Sequence, residues 1–193
     1  VIRDRHDVAV EPFDFDPREL APQQFAARTI CTMVSPGTEC ANYDAVDPVV
    51  YQPGAWCAYP WTPGYAGVSE VLEVGEQCEG VHVGDRVVCS AAHRSHHRVN
   101  CGSVWVPLQE DVSPCEAATV PLLSIAETAY QVLRPERMDP FQSVGVWGLG
   151  VIGNAAAQIG QALGYRVVGL DPDPDRRSLA HRCGLQHTLD PTD

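Results

Sequence analysis

Two hydrophobic rhythms divide this chain. Up to about Val112 the apolar positions come in short β-rich runs, Phe25 to Val34, Val68 to Val74, Arg86 to Ser90 and Ser103 to Pro107, broken by Gly- and Pro-bearing turns such as Val83-Gly84-Asp85. No stretch there sustains a helical period, so the pattern predicts a compact β-barrel or sandwich. Ser113-Pro114-Cys115-Glu116 then carries the N-cap, N1 proline and N3 glutamate of a capping box, which predicts a helix through about Val132. A hinge rich in Pro and Arg, Arg134 to Pro140, leads into the second rhythm. Val144 to Trp147 is a short apolar run. Ile152, Ala155, Ala156, Ile159 and Leu163 form a helical stripe closed by Gly164, and Arg166 to Leu170 is a second run. Asp173 to Arg182 predicts another helix, and residues 184–190 approach a third strand. The reading is therefore an α/β chain in three parts: a β domain over 1–112, a linking helix and hinge over 113–140, and over 141–193 the first half of a parallel-sheet, Rossmann-type domain.

The turn between the run ending at Trp147 and the helical stripe is Gly148-Leu149-Gly150-Val151-Ile152-Gly153, the G-x-G-x-x-G spacing of a dinucleotide-binding turn. Its glycines have separate jobs. Gly148 allows the tight turn, Gly150 lets backbone N–H groups approach a pyrophosphate, and Gly153 lets the helix lie close on its strand, while the helix N-terminus adds partial positive charge. Asp171 ends the second run 18 residues past Gly153. A carboxylate there accepts hydrogen bonds from ribose hydroxyls and repels a 2′-phosphate, so the expected cofactor is NAD rather than NADP. Arg176 and Arg177 lie within reach of a phosphate but read as the solvated face of the next helix.

At 193 residues and 45% hydrophobic composition the chain can bury a real core. Its formal net charge of −12 argues against nucleic acid and anionic membrane surfaces as partners. No apolar run approaches the roughly 20 residues that span a bilayer, and no signal peptide is legible at the N-terminus, so cytoplasm is the expected location. None of the eight cysteines forms a C-x-x-C pair. A structural zinc site is not expected, a disulfide framework fits poorly, and most of the thiols read as small buried hydrophobes. The chain starts at Val1 and stops at Asp193, before a nicotinamide-binding half, and so reads as a fragment of a longer protein.

A β-rich first domain, a linking helix and a G-L-G-V-I-G turn follow the order of the medium-chain dehydrogenase/reductase superfamily, the alcohol-dehydrogenase-like enzymes with a GroES-like β-barrel domain. Four further motifs carry the resemblance: Ser35-Pro36-Gly37-Thr38-Glu39, Tyr59-Pro60-Trp61-Thr62-Pro63-Gly64-Tyr65-Ala66-Gly67, Val83-Gly84-Asp85-Arg86-Val87 and His93-Arg94-Ser95-His96. In these the chain resembles a subgroup that includes bacteriochlorophyllide-dehydrogenase-like proteins. It departs from the zinc enzymes where they carry Cys and His ligands. Ser35-Pro36 precedes Gly37-Thr38-Glu39 in place of a cysteine, and Gly64-Tyr65-Ala66 stands where they have Gly-His-Glu; the four-cysteine structural lobe is missing as well. Catalytic zinc wants three protein ligands and an open position, so zinc is not expected here and no metal ligand is assigned. A separate metal site on His93, His96, His97 and Cys101 is the alternative, against a loop whose histidines bond backbone or water.

Without zinc another group must stabilise charge at the substrate oxygen and move a proton. The resemblance implies that Ser35, Thr38 and Tyr65 face the cleft, that His93 borders it and that Thr128 packs against the nicotinamide. A hydroxyl such as Tyr65 could polarise a carbonyl, against a packed aromatic; Thr128 could be an ordinary helix threonine, and Glu39 could simply cap a turn. A histidine of the His93 segment could shuttle a proton. The implied activity is NAD(H)-dependent, zinc-independent interconversion of an alcohol and a carbonyl compound. Reduction of an activated C=C bond, as in enone or quinone reductases of the superfamily, and a non-catalytic nucleotide-binding remnant are the alternatives. A full-length form would be expected to dimerise through its nucleotide domain.

Overall fold

The computed structural model describes residues 1–132 and 143–192; the hinge expected between Arg134 and Pro140 lies outside the described residues. The chain divides into two compact units, Val1–Pro121 and Leu122–Asp193. In the first, β1 (Ile2–Asp4) and β2 (Asp7–Val8) make a small hairpin. The main sheet holds β3 (Gln24–Thr32), β4 (Gly67–Val74), β5 (Arg86–Cys89), β6 (His96–Asn100) and β7 (Trp105–Pro107), all antiparallel, in the order β6-β3-β4-β5-β7. The fold class is the expected one, although among the described residues β6 and β7 remain unpaired edges and the sheet does not close. Phe25, Ala27, Val71, Val87, Cys89 and Val99 form its core, and Trp105 meets Phe25 edge-on at 5.8 Å between ring centroids. Burying the Phe25 side chain is worth about 1.5–3 kcal/mol by area.

The four expected strands form, and the structure adds elements the sequence pattern does not predict, among them a 3-10 turn over Pro48–Tyr51. The β1/β2 hairpin and α1 (Pro36–Tyr43) are too short to show a period. Strand β6 occupies the segment read as a histidine-bearing loop, because its alternation is polar: His97 and Val99 point inward while Arg98 and Asn100 are exposed. The helix expected from Pro114 through Val132 is interrupted. It forms as α2 (Pro114–Ala117) and α3 (Val120–Val132), and Ser113 makes no side-chain capping bond, so the capping box is not realised. Pro121 has no N–H to donate back to residue 117, so the helix restarts with proline in its first turn.

In the second unit β8 (Ser143–Trp147), β9 (Arg166–Leu170) and β10 (His187–Leu189) form a parallel sheet of order β10-β9-β8, with α4 (Val151–Ala162) and α5 (Pro174–Arg182) as crossovers. Its core is Leu149, Ala157, Val167, Ala180 and Leu185. The buried face of α4 is not the expected stripe: Asn154, Ala155, Ala157 and Gly160 are buried, whereas Ile152 and Leu163 are 38% and 54% exposed. Close packing selects small residues. A Cβ on Gly160 would run into the Tyr130 hydroxyl, which donates to the Ala156 carbonyl at 2.7 Å.

Cysteine chemistry departs from expectation. Cys78, on the turn after β4, is disulfide-bonded to Cys101 at the end of β6, with 5.7 Å between Cα atoms. The pairing is made by the sheet, across 23 residues of sequence, where no local spacing signals it. Nor are most thiols buried, since Cys40, Cys115 and Cys183 are exposed and only Cys57 and Cys89 are fully enclosed.

Candidate active site and nucleotide-binding turn

The glycine turn expected to bind a nucleotide forms at the carboxyl ends of β8 and β9, where open parallel sheets place their ligands. Gly148 takes φ +85°, in the left-handed region that favours glycine, and its N–H donates to the Leu170 carbonyl at 2.7 Å. A Cβ on Gly153 would collide with the Gly148 carbonyl oxygen, so the third glycine is demanded by close approach. Gly150 is the N-cap of α4, and a Cβ there would meet open space. Val151 and Ile152 open the helix with exposed side chains, whereas the Leu149 side chain is buried in the unit's core.

Asp171 directly follows β9, with 2% of its surface exposed. One carboxylate oxygen accepts from the Leu149 N–H at 2.7 Å and the other from the Asp173 N–H at 2.9 Å. These hydrogen bonds, Leu149 first, hold the carboxyl below the usual aspartate range, with a smaller contribution from Arg176 at 3.6 Å. The structure thus brings the acidic residue onto the glycine turn itself. Arg177 is not a purely solvated residue: it donates to the Asp171 carbonyl at 2.5 Å and pairs with Asp190 at 3.0 Å. Thr128 lies exposed on α3, its hydroxyl donating to the Ser124 carbonyl one turn back at 2.9 Å.

In the first unit a continuous polar chain assembles at the end of β3, the start of α1 and the loop after β5. The Tyr65 hydroxyl donates to Ser35 Oγ at 2.8 Å, and the Ser35 N–H donates to Glu39 Oε1 at 2.7 Å. Glu39 Oε2 lies 2.8 Å from His93 Nε2, and His93 Nδ1 lies 2.7 Å from Thr32 Oγ1. A carboxylate only accepts, so the His93 proton sits on Nε2, and Nδ1 is left to exchange a proton with Thr32. Burial stiffens the arrangement: the Glu39 and His93 side chains are 10% and 21% exposed. Three backbone features hold it. Pro36 starts α1 directly after Ser35, Glu39 follows one helical turn on, and the His93 N–H bonds the Pro63 carbonyl at 2.8 Å. Gly64 has to be glycine there, because a Cβ would come within 2.6 Å of the His93 nitrogen.

Of the site residues read from the sequence, the structure joins Ser35, Tyr65 and His93. Thr38 stays outside the chain of hydrogen bonds and contributes only its carbonyl, to Asn42 at 3.0 Å. Glu39, read as a possible turn cap, turns out to be the hub, and Thr32 was not singled out at all. No local signal could have found Thr32, which reaches His93 across 61 residues of sequence. The alternative metal set is dispersed. His93 is held by Glu39 and Thr32, His96 stacks on Phe15, His97 points into the sheet core, and Cys101 is in its disulfide. Among the described residues no group of three or more His, Cys, Asp or Glu side chains could hold a metal ion. His93 and Thr32 face a cleft of about 700 Å³ whose wall also includes Phe13, Thr62, Arg94 and Ser95.

Residues 38–121 match the family described as the alcohol dehydrogenase GroES-like domain. An alcohol dehydrogenase of Geobacillus stearothermophilus is 26% identical over 155 residues, 65% of this chain and 45% of that protein. The chain spans about half the length of the curated relatives it matches. The solved alcohol dehydrogenase from Thermus sp. ATN1 superposes with a TM-score of 0.77 at 23% identity, covering 97% of this chain and 61% of that one. Escherichia coli quinone oxidoreductase complexed with NADPH superposes at 0.72 and 20% identity, covering 94% and 54%. At these identities the structural likeness establishes the fold. Among the described residues no helix is long and apolar enough to cross a membrane.

Proposed function

Because the chain belongs to the medium-chain dehydrogenase/reductase superfamily, we propose that it is the cofactor- and proton-handling part of an NAD(H)-dependent, zinc-independent oxidoreductase that interconverts an alcohol and a carbonyl compound. The observation that carries this reading is the Glu39–His93–Thr32 chain at the wall of a cleft. A bound nicotinamide would supply the hydride chemistry, and the residues of this chain do the rest. The Gly148–Gly153 turn offers backbone N–H groups to a pyrophosphate, and Asp171 sits where ribose hydroxyls are recognised. On oxidation the substrate hydroxyl proton passes through Thr32 Oγ1 to His93 Nδ1. Glu39 holds the imidazole in the accepting tautomer and stabilises the imidazolium. Ser35 and Tyr65 bond each other where the resembling zinc enzymes have metal ligands. Neutral serine and tyrosine hydroxyls, with Tyr65 already donating to Ser35, are poor ligands for zinc, so no step passes through a metal.

The test is a turnover assay with NADH and with NADPH against small carbonyl compounds and activated alkenes, before and after EDTA. Carbonyl reduction that survives the chelator is expected; a rate that collapses and returns with zinc would overturn the zinc-independent reading. Asp171 should make NADH bind more tightly than NADPH by roughly tenfold, about 1.4 kcal/mol. Equal affinities in titration would show that Arg176, at 3.6 Å, compensates the carboxylate.

Glu39 is a positioning residue, with its own signature. In Glu39→Gln the imidazole loses its fixed tautomer, and kcat should fall by as much as ~100-fold, the cost of misplacing a reacting group by about 1 Å. NADH affinity and substrate KM should stay within a factor of about two, because only the proton-transfer geometry changes. A rise in KM with kcat intact would assign Glu39 to the packing of α1 instead.

A further inference from the structure

We propose that the cleft beside His93 takes a substrate bearing an oxyanion, a carboxylate or phosphoryl group, and that Arg94 is the residue that recognises it. This assignment deepens the reading of that cleft as the substrate site and rests on it. Arg94 follows His93 directly, so consecutive Cα atoms about 3.8 Å apart place a cation and the proton-handling imidazole on the same cleft wall. Its backbone is pinned from two sides: the carbonyl accepts from Thr29 Oγ1 at 2.7 Å, and the N–H donates to the Ala92 carbonyl at 2.8 Å. The side chain is preorganised too. The guanidinium carbon lies 5.4 Å from the centre of the Phe13 ring, and one amino group donates to Thr62 Oγ1 at 3.4 Å.

Those contacts leave most of the guanidinium's five N–H donors uncommitted. The arginine ion pairs among the described residues use Arg3, Arg18, Arg28, Arg98, Arg176 and Arg177, and none uses Arg94. Glu11, the carboxylate on the cleft wall, is already paired with Arg3 at 2.7 Å. In a chain with 25 acidic residues, a stacked arginine without a carboxylate partner at the mouth of a cleft is an open bidentate site. Thr62 on the same wall accepts from Arg94 and keeps its own hydroxyl hydrogen to donate, which suits an anion better than an apolar group. The overall charge of −12 does not prevent this, because charges beyond about 8 Å are screened at physiological ionic strength.

The experiment is a titration of histidine-labelled protein with benzoate, phenyl phosphate and benzyl alcohol, followed by NMR at the His93 imidazole, assigned through His93→Ala. The two anions should perturb His93 and bind more tightly than the alcohol; the order between them tells carboxylate from phosphoryl. In Arg94→Gln the anion affinity should drop by about tenfold, some 1.4 kcal/mol, with the benzyl alcohol affinity unchanged, and Arg94→Lys should recover part of it. Arg94 is exposed, so the amide spectrum of the variants should otherwise overlay the parent. Anions that bind no better than benzyl alcohol, or an Arg94→Gln protein that binds them as before, would overturn the proposal. The titration needs no nucleotide and no turnover. A protein that binds these anions through Arg94 yet transfers no hydride would therefore sink the oxidoreductase reading and leave the anion site standing.

Discussion

Gly153→Ala should unfold the nucleotide unit at lower temperature, while Gly150→Ala should leave its melting curve where it is. The two positions are three residues apart on one turn, yet a Cβ at 153 strikes the Gly148 carbonyl oxygen and a Cβ at 150 meets open space. The obstacle at 153 is backbone within the turn itself, so the added methyl must push α4 off β8, an overpacking cost of about 1–3 kcal/mol. Nucleotide affinity should fall with it, because the displaced backbone is the proposed pyrophosphate cradle. At Gly150 the cost appears only on binding, when the phosphates close the space that the Cβ would fill. Thermal unfolding and NADH titration of both variants separate these effects. Were both to bind NADH as the parent does, the turn would be a structural βα connection and the nucleotide reading would fail.

The second large effect is an acid-driven loss of stability in the first unit, centred on His97. This side chain points into the sheet core with the residue 8% exposed, its Nε2 3.2 Å from Ser69 Oγ and 3.7 Å from Cys89 Sγ. Burial first, and then the positive charges of Arg94 and His96, push it down from 6.5 to about 4. Because the folded value is depressed for a base, the stabilisation is complete above pH 6.5. Below that the unfolded chain takes up a proton that the native one refuses, and stability drains away until about pH 4. A span of this size corresponds to about 3 kcal/mol, a large part of what a domain of this size possesses. Unfolding by urea between pH 7.5 and 4 should show that slope, and His97→Gln should flatten it. A slope unchanged in the variant would assign the acid sensitivity to other groups.

How much of this was legible in advance follows from the range of each signal. The glycine turn, its flanking runs and Asp171 were readable because a βα turn is built from neighbours: a left-handed Gly148, a small Gly153 and an acidic strand end all lie within one short segment. The choice of buried face on α4 was not, since periodicity favours large side chains, whereas a helix lying close on its strands wants Ala157 and Gly160. The proton-handling chain was half legible. Ser35, Tyr65 and His93 stood out as residues of the right chemistry, but what joins them is Glu39, which reaches His93 across 54 residues.

By itself the sequence determined the order of a β-rich unit and a parallel βαβαβ segment, the place of the glycine turn and the absence of the Cys and His that the resembling zinc enzymes carry. Turn chemistry, periodicity and residue type are local properties and survive without a fold. Only the tertiary structure decided that Glu39 faces His93 rather than solvent, that His97 points inward from a polar strand and that Cys78 meets Cys101. Each of these depends on which strands lie side by side and in what register. The energy that selects the register is the burial of Phe25, Val71, Val87 and their neighbours, which names none of the polar residues it brings together.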